Sequence, residues 1–213
     1  SLYLPMDNAG IFDKTGLNTL TVIGDASTST TQTKYADTAV YFDGSGDYIR
    51  SDESLSMISS TSSLWTIEGW GYTLTLGGTG GDSDDIIGIN RLSDGFNVIT
   101  YGPRISRYRG AEVAVTDWNL NEWTHFAITY DGTTYRIFLN GTLDYSTTAA
   151  PTNALSECSL LIGAEADGAD GGTVGNYFTG YLENLQILNG VAKYTSNFTP
   201  PNRTQGITYQ AES

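Results

Sequence analysis

The chain has 213 residues, with 10 Lys plus Arg against 24 Asp plus Glu, a formal net charge of −14 and a sequence pI near 4.1. Its 39% hydrophobic and 12% aromatic content suffices for a packed core and excludes disorder, while the acidity excludes a nucleic-acid backbone binder, whose affinity comes from Lys and Arg. No apolar run approaches the roughly 20 residues that span a bilayer, so no membrane insertion is expected, and a single Cys and a single His exclude an internal disulfide and a His/Cys zinc site.

No charged, apolar, small-residue leader opens the sequence, and strand pattern begins almost at Ser1. That is expected of a processed or excised piece of something longer. No linker divides the chain, so residues 1–213 read as one domain. Apolar residues recur with period two in short runs bounded by Gly, Asp, Asn and Ser, and no convincing helix is found. The runs predict strands over Leu2–Met6, Leu20–Ile23, Ala39–Phe42, Tyr48–Ser51 and Trp65–Thr75. They continue over Asp85–Asn90, Gly95–Thr100, Arg104–Tyr108, Glu112–Val115, Thr124–Tyr130, Thr134–Leu139 and Thr142–Ser146. Cys158–Ile162, Tyr177–Leu188 and a short segment near Ile207 complete the set. So many short strands with turns between them predict an all-β, two-sheet antiparallel β-sandwich with few or no helices. Ser27–Thr33, Gly77–Asp85 and Asp167–Gly175 read as surface loops.

Arg104, Arg107 and Arg109 fall close together and interleave with Tyr101 and Tyr108. On an acidic protein this is a local basic, aromatic patch. It suits an acidic polysaccharide or an acidic neighbouring subunit, or else an edge strand protected from aggregation by charge. Trp118, in the loop Asp117-Trp-Asn-Leu120, reads as an exposed ring available for sugar stacking or a partner contact.

Asp131-Gly132 and Asn140-Gly141 both suit two-residue hairpin turns. Read so, Tyr130 faces Thr133, Ile128 faces Tyr135 and Phe126 faces Ile137. In the second hairpin Leu139 faces Thr142, Phe138 faces Leu143 and Arg136 faces Tyr145. One sheet face then carries Phe126, Ile128, Tyr130, Tyr135, Ile137 and Leu139, the expected core. The other carries Trp123, His125, Ala127, Arg136, Phe138, Leu143 and Tyr145. That mixture suits a sugar-facing groove, since rings stack on pyranose faces and polar tips bond hydroxyls; it equally suits a second small core covered by loops.

For catalysis by paired carboxylates, the nearest pattern is Glu165-Ala-Asp-Gly-Ala-Asp170. Its Ala and Gly make it a loop, and loop acids lack a fixed separation. Glu68 and Glu183 sit in strand patterns and read as hydrogen-bonded structural acids. His125 has no evident Ser partner, and Cys158 beside Glu157 is not activated. No enzyme is expected.

The ordered set Ala39–Ile49, Trp65-Thr-Ile-Glu-Gly-Trp70, Asn121–Gly132, Ile137-Phe-Leu-Asn-Gly141, Leu161-Ile-Gly163 and Phe178–Ile187 resembles the concanavalin A-like lectin/glucanase superfamily, in its laminin-G-like jelly-roll branch. The likeness runs from Leu2 to about Pro201. Asn189–Pro201 resembles a closing segment of such domains in bacteriophage, especially marine phage, structural proteins. The resemblance implies a sandwich with one concave sheet that binds sugars or protein partners. It implies a surface-displayed, non-catalytic module on a virion or outside cells, recognising host glycans. A purely structural virion domain and a glycoside hydrolase or lyase are the alternatives. It also implies a structural calcium, for which Asp7, Asp43, Asp47 and Glu183 could converge if the first strand pairs near the last long one. The loop acids Asp82–Asp85 and Glu165, Asp167 and Asp170 are further oxygen clusters of the type calcium takes.

Overall fold

The computed structural model describes residues 2–6, 10–51, 64–75, 84–89, 96–101, 104–107, 112–113, 116–148, 160–167 and 173–202. Every regular element among them is a β-strand. The first nine are β1 (Leu2–Leu4), β2 (Leu20–Ile23), β3 (Ser27–Ser29), β4 (Ala39–Asp43), β5 (Tyr48–Ser51), β6 (Trp65–Thr73), β7 (Asp84–Ile89), β8 (Phe96–Tyr101) and β9 (Arg104–Arg107). The rest are β10 (Glu112–Val113), β11 (Trp123–Tyr130), β12 (Tyr135–Leu139), β13 (Thr142–Thr147), β14 (Leu160–Ile162), β15 (Glu165–Asp167), β16 (Thr173–Gly175) and β17 (Thr179–Asn189). No helix among the described residues is long and apolar enough to cross a membrane.

The strands form two antiparallel sheets. One runs β13-β12-β11-β6-β17-β4-β3, with β1 also paired to β17; the other runs β10-β9-β8-β7-β14-β5-β2. The expected two-sheet sandwich is therefore found. Between the sheets lie Trp65, Ile67, Phe126, Ile128, Tyr130, Tyr135, Ile137 and Leu139 from the first, and Ile49, Ile87, Leu160 and Ile162 from the second. They alternate along each strand with residues that face outward, as a two-layer core requires. Three strands fall in stretches read as loops. Ser27–Ser29 pairs with β4 as an edge strand, and Glu165–Asp167 pairs with Thr173–Gly175 as a small hairpin. Their Ser, Thr, Ala and Gly content hides them from a hydrophobic pattern. The expected strand near Ile207 lies outside the described residues.

The first hairpin differs in register from its expectation. Tyr130 pairs with Tyr135, Ile128 with Ile137 and Phe126 with Leu139. The loop is Asp131–Thr134 rather than a two-residue turn. Gly132 takes φ 85°, but the Asp131 carboxylate accepts the N–H groups of Thr133 and Thr134 at 3.0 and 2.7 Å, which widens the loop. A slip of two preserves the faces, so the core assignment stands. In the second hairpin, Asn140 at φ 48° and Gly141 at φ 78° make the expected turn, with Leu139 opposite Thr142 and Phe138 opposite Leu143. A bulge follows, and Tyr145 then pairs with Ile137 and Arg136 with Ser146. Asp144 is the extra residue, and it accepts the Thr116 N–H at 3.1 Å. One added residue reverses the face. Tyr145, expected beside Arg136 on the outer face, packs against the core instead.

Candidate functional site

The outer face of the eight-stranded sheet carries the candidate site. Alternation puts Thr66, Glu68, Trp70 and Tyr72 of β6 there, with Trp123, His125, Ala127 and Thr129 of β11 opposite them in reverse order. Phe138 of β12, Tyr181 and Glu183 of β17, and Tyr41 and Asp43 of β4 share this face.

Half of this face is covered by the chain's own segment 190–202. Thr66 Oγ1 donates to the Val191 carbonyl at 2.8 Å and accepts the Lys193 N–H at 2.9 Å. Thr129 Oγ1 donates to the Tyr194 carbonyl at 2.9 Å, and Trp70 Nε1 to the Pro201 carbonyl at 3.1 Å. The Phe198 N–H donates to the Gly141 carbonyl at 2.9 Å. Its ring lies 5.7 Å from His125 and 5.3 Å from Phe138. Beneath the segment, buried Glu68 pairs with Lys193 and accepts the Tyr194 hydroxyl at 2.7 Å. His125 Nε2 lies 3.5 Å from it. Burial alone would push the Glu68 carboxyl up, but the His125 contact and the Lys193 charge outweigh it and hold it below the usual range. Burial and the Glu68 charge push the Tyr194 phenol far up, so it stays a donor. His125 is thus packing beneath a cover rather than groove lining: the covered-core alternative holds for this half.

The other half carries a ladder of rings that the segment does not reach. Tyr181 is the registered partner of Tyr41 on one side and of Tyr72 on the other, and Tyr72 is the registered partner of Trp123. Ring centroids are 4.8 Å apart for Tyr41–Tyr181, 5.9 Å for Tyr181–Tyr72 and 5.6 Å for Tyr72–Trp123. Directly opposed aromatic pairs on adjacent strands reinforce each other. Tyr41, Tyr72 and Trp123 keep part of their surface in solvent. The loop 34–36 walls one side of the ladder. Tyr35 stands edge-on to Trp70 at 5.3 Å, and the Lys34 ammonium lies 4.8 Å from the Trp70 ring. That loop is fixed by Glu183, whose carboxylate accepts the N–H groups of Lys34, Tyr35 and Ala36 at 2.8, 2.8 and 2.9 Å.

At the Tyr41 end stand three acids. Ligand oxygens of Asp25, Asp43 and Asp47 lie within 4.8 Å of one another. Asp47 is buried and accepts the N–H of Asp25 at 2.7 Å and of Asp43 at 3.2 Å. Asp25 and Asp43 are exposed. Burial first, then Tyr181 and the charges of Asp43, Asp47 and Asp25, push the Tyr41 phenol up. This trio replaces the composite calcium set. Asp43 and Asp47 do meet, Asp25 joins them, Glu183 is committed to the loop 34–36, and Asp7 lies outside the described residues. Hard carboxylate oxygens suit calcium, which takes six to eight oxygens; backbone carbonyls and water would supply the remainder.

The other expected binding residues do not assemble here. Trp118 is 2% exposed and belongs to the core, its ring 5.9 Å from that of Phe126. Arg136 bonds the Asp131 carboxylate at 2.6 Å and pins the hairpin; burial would raise that carboxyl, and the Arg136 bond wins and lowers it. Tyr101 and Arg104 are registered partners closing the β8–β9 hairpin, and Arg107 pairs with Val98, all in the opposite sheet. Tyr108 and Arg109 lie outside the described residues. Sequence reading placed Trp123 on the right face but missed Tyr41, Tyr72 and Tyr181. Their signal is alternation within β4, β6 and β17, which becomes a ladder only once the order β11-β6-β17-β4 is known.

Residues 43–194 match the family model described as the Concanavalin A-like lectin/glucanases superfamily. A search of curated proteins finds no match. Domain 4 of AbnA, a GH43 extracellular arabinanase from Geobacillus stearothermophilus, solved in complex with arabinotriose, is similar with TM-score 0.61 at 16% identity, over 89% of this chain and 91% of that one. The binding domain of botulinum neurotoxin serotype G gives 0.59 at 15%, over 93% and 48%. A structure reporting that cell entry of botulinum neurotoxin type C depends upon interaction with two ganglioside molecules gives 0.61 at 11%, over 88% and 47%. The chain spans about half the length of these neurotoxin domains. At such identities the likeness is one of fold.

Proposed function

The chain belongs to the concanavalin A-like lectin/glucanases superfamily, and from that premise we propose a non-catalytic, surface-displayed module that binds glycans on the ladder Tyr41–Tyr181–Tyr72–Trp123. The observation that carries this reading is the ladder itself: four registered rings in contact, three of them partly in solvent. Aromatic rings supply flat apolar area to a pyranose face, and their polar tips bond hydroxyls. Relatives in fold whose titles name arabinotriose and gangliosides support the same ligand class. The two acids on this face argue for binding over bond cleavage, since Glu68 is held by Lys193 and Tyr194 and Glu183 by three backbone amides. Display on a virion surface or outside cells, among glycans or neighbouring subunits, belongs to this proposal, as does a structural calcium at Asp25, Asp43 and Asp47.

A glycan array followed by calorimetric titration tests it. Wild type is expected to bind at least one glycan class, and Tyr72→Ala and Trp123→Ala to weaken that binding tenfold or more while melting as one cooperative unit, on the scale of a lost stacking contact of about 1–2 kcal/mol. Absence of binding at millimolar sugar with calcium present overturns it, and release of new reducing ends overturns the non-catalytic part.

A further inference from the structure

We propose that the ladder selects a saccharide bearing protonated amines, its amine lying toward Asp25, Asp43 and Asp47, over acidic and neutral sugars; this rests on the glycan-binding reading above. A row of rings accepts a sugar face with little regard to charge. Choice among sugars then falls to the ionised groups at the margin of the row. Asp43 follows Tyr41 by two residues on β4 and shares its face. Thr179, its registered partner, likewise precedes Tyr181 by two on β17. The exposed carboxylates of Asp25 and Asp43 therefore stand beside the last ring, with buried Asp47 between them and the sheet. None of the described Lys or Arg side chains pairs with the three acids. Lys193 is taken by Glu68 and Arg136 by Asp131, and Lys34 stands over Trp70 and Tyr35.

The Tyr41 end of the ladder is thus a concentration of negative charge on a chain already at −14. An ammonium group placed there meets attraction from several carboxylates, and a uronate or sialate meets repulsion. The Arg104–Arg107 strand, which suits acidic polysaccharide, is in the other sheet and cannot offset this field at the ladder.

The test compares sugars of one backbone that differ in charge. Hexamers of glucosamine, of N-acetylglucosamine and of galacturonate are titrated calorimetrically into the full chain, in mildly acidic buffer with chelator. The glucosamine hexamer is expected to bind about tenfold tighter than its acetylated counterpart, the scale of one to two water-exposed ion contacts. Galacturonate is expected to bind weakest. High salt is expected to shrink the preference, and the double variant Asp25→Asn, Asp43→Asn to bring the glucosamine and acetylated affinities together. Millimolar calcium, competing for the same oxygens, is expected to act in the same direction as salt. Equal binding of the first two hexamers, or a preference that survives both high salt and the double variant, overturns the inference while leaving glycan binding in place. Failure of all three hexamers and of every array glycan overturns the glycan reading itself.

Discussion

The indole ring of Trp118 occupies the space that a side chain on Gly71 would need. A Cβ at Gly71 would lie 2.8 Å from Cζ2 and 2.9 Å from Cη2 of that ring. Gly71 faces inward on β6, so the loop holding Trp118 is closed down onto the core rather than standing out as a binding tip. Gly71→Ala is expected to cost about 1–3 kcal/mol by overpacking, and Trp118→Ala about 3–5 kcal/mol by the cavity it leaves. Guanidinium denaturation measures both. If Trp118→Ala keeps wild-type stability and loses glycan binding, the ring belongs to the site and not to the core.

Arg136 and Asp131 make the corresponding case at the first hairpin. Their contact at 2.6 Å is partly buried, and the same carboxylate accepts two loop amides. Asp131→Ala removes all three contacts and is expected to cost about 1–2 kcal/mol. Arg136→Met removes one and is expected to cost less than about 1 kcal/mol. Glycan affinity is expected to be the same in Arg136→Met as in wild type. A tenfold loss on titration would return Arg136 to the binding surface.

How far the sequence carries depends on whether an error falls on an even or an odd number of residues. The first hairpin is displaced by two, and every side chain keeps its face. The second gains one residue at Asp144, and Tyr145 crosses to the core. Period-two alternation reports faces and is blind to such insertions, because a bulge is set by the partner strand and by contacts such as the Asp144–Thr116 bond. Trp118 misleads for a related reason: its neighbours Asp117 and Asn119 are polar, and only the far-off glycine on β6 makes room for it. The acid cluster was half legible. Asp43 and Asp47 stand in one turn, but Asp25 reaches them through the packing of a separate loop. Glu183 was legible as a hydrogen-bonded acid, though its amide partners are 147 to 149 residues away in the chain. Segment 190–202 has no periodicity, so nothing in its own pattern says which half of the outer face it covers.

Calcium is expected to stabilise the chain through Asp25, Asp43 and Asp47. A ligand that binds only the folded state at a hundred times its Kd adds about 2.7 kcal/mol. The melting temperature of chelator-treated protein is therefore expected to rise by several degrees on adding saturating calcium, and Asp43→Asn to abolish the rise. Asp47→Asn is expected to lower stability even with chelator present, since Asp47 accepts two backbone amides regardless of any ion. A wild-type melting temperature indifferent to calcium would remove the metal from the account and leave the trio as bare charge.

Glu68 gives the outer face a dependence on acid. Its carboxyl is held below the ordinary value of 4.5 in the folded chain, so its contribution to stability is complete above the unfolded value and is lost as pH falls through the folded one. Protonation leaves the Lys193 ammonium and the Tyr194 hydroxyl without their anionic partner, and segment 190–202 loses its only buried charged anchor among the described residues. Below about pH 4.5 stability is expected to fall more steeply in wild type than in Glu68→Gln, which has no charge to lose there. Near neutrality Glu68→Gln is expected to be less stable by about 3 kcal/mol, the lower end for breaking a buried pair, because Lys193 is 34% exposed. Asp13 and Asp131, also held low, leave a residual slope in both proteins. Denaturation midpoints measured from neutral to strongly acidic pH decide the matter. Curves that stay parallel for the two proteins would show that Glu68 does not anchor the segment through its charge.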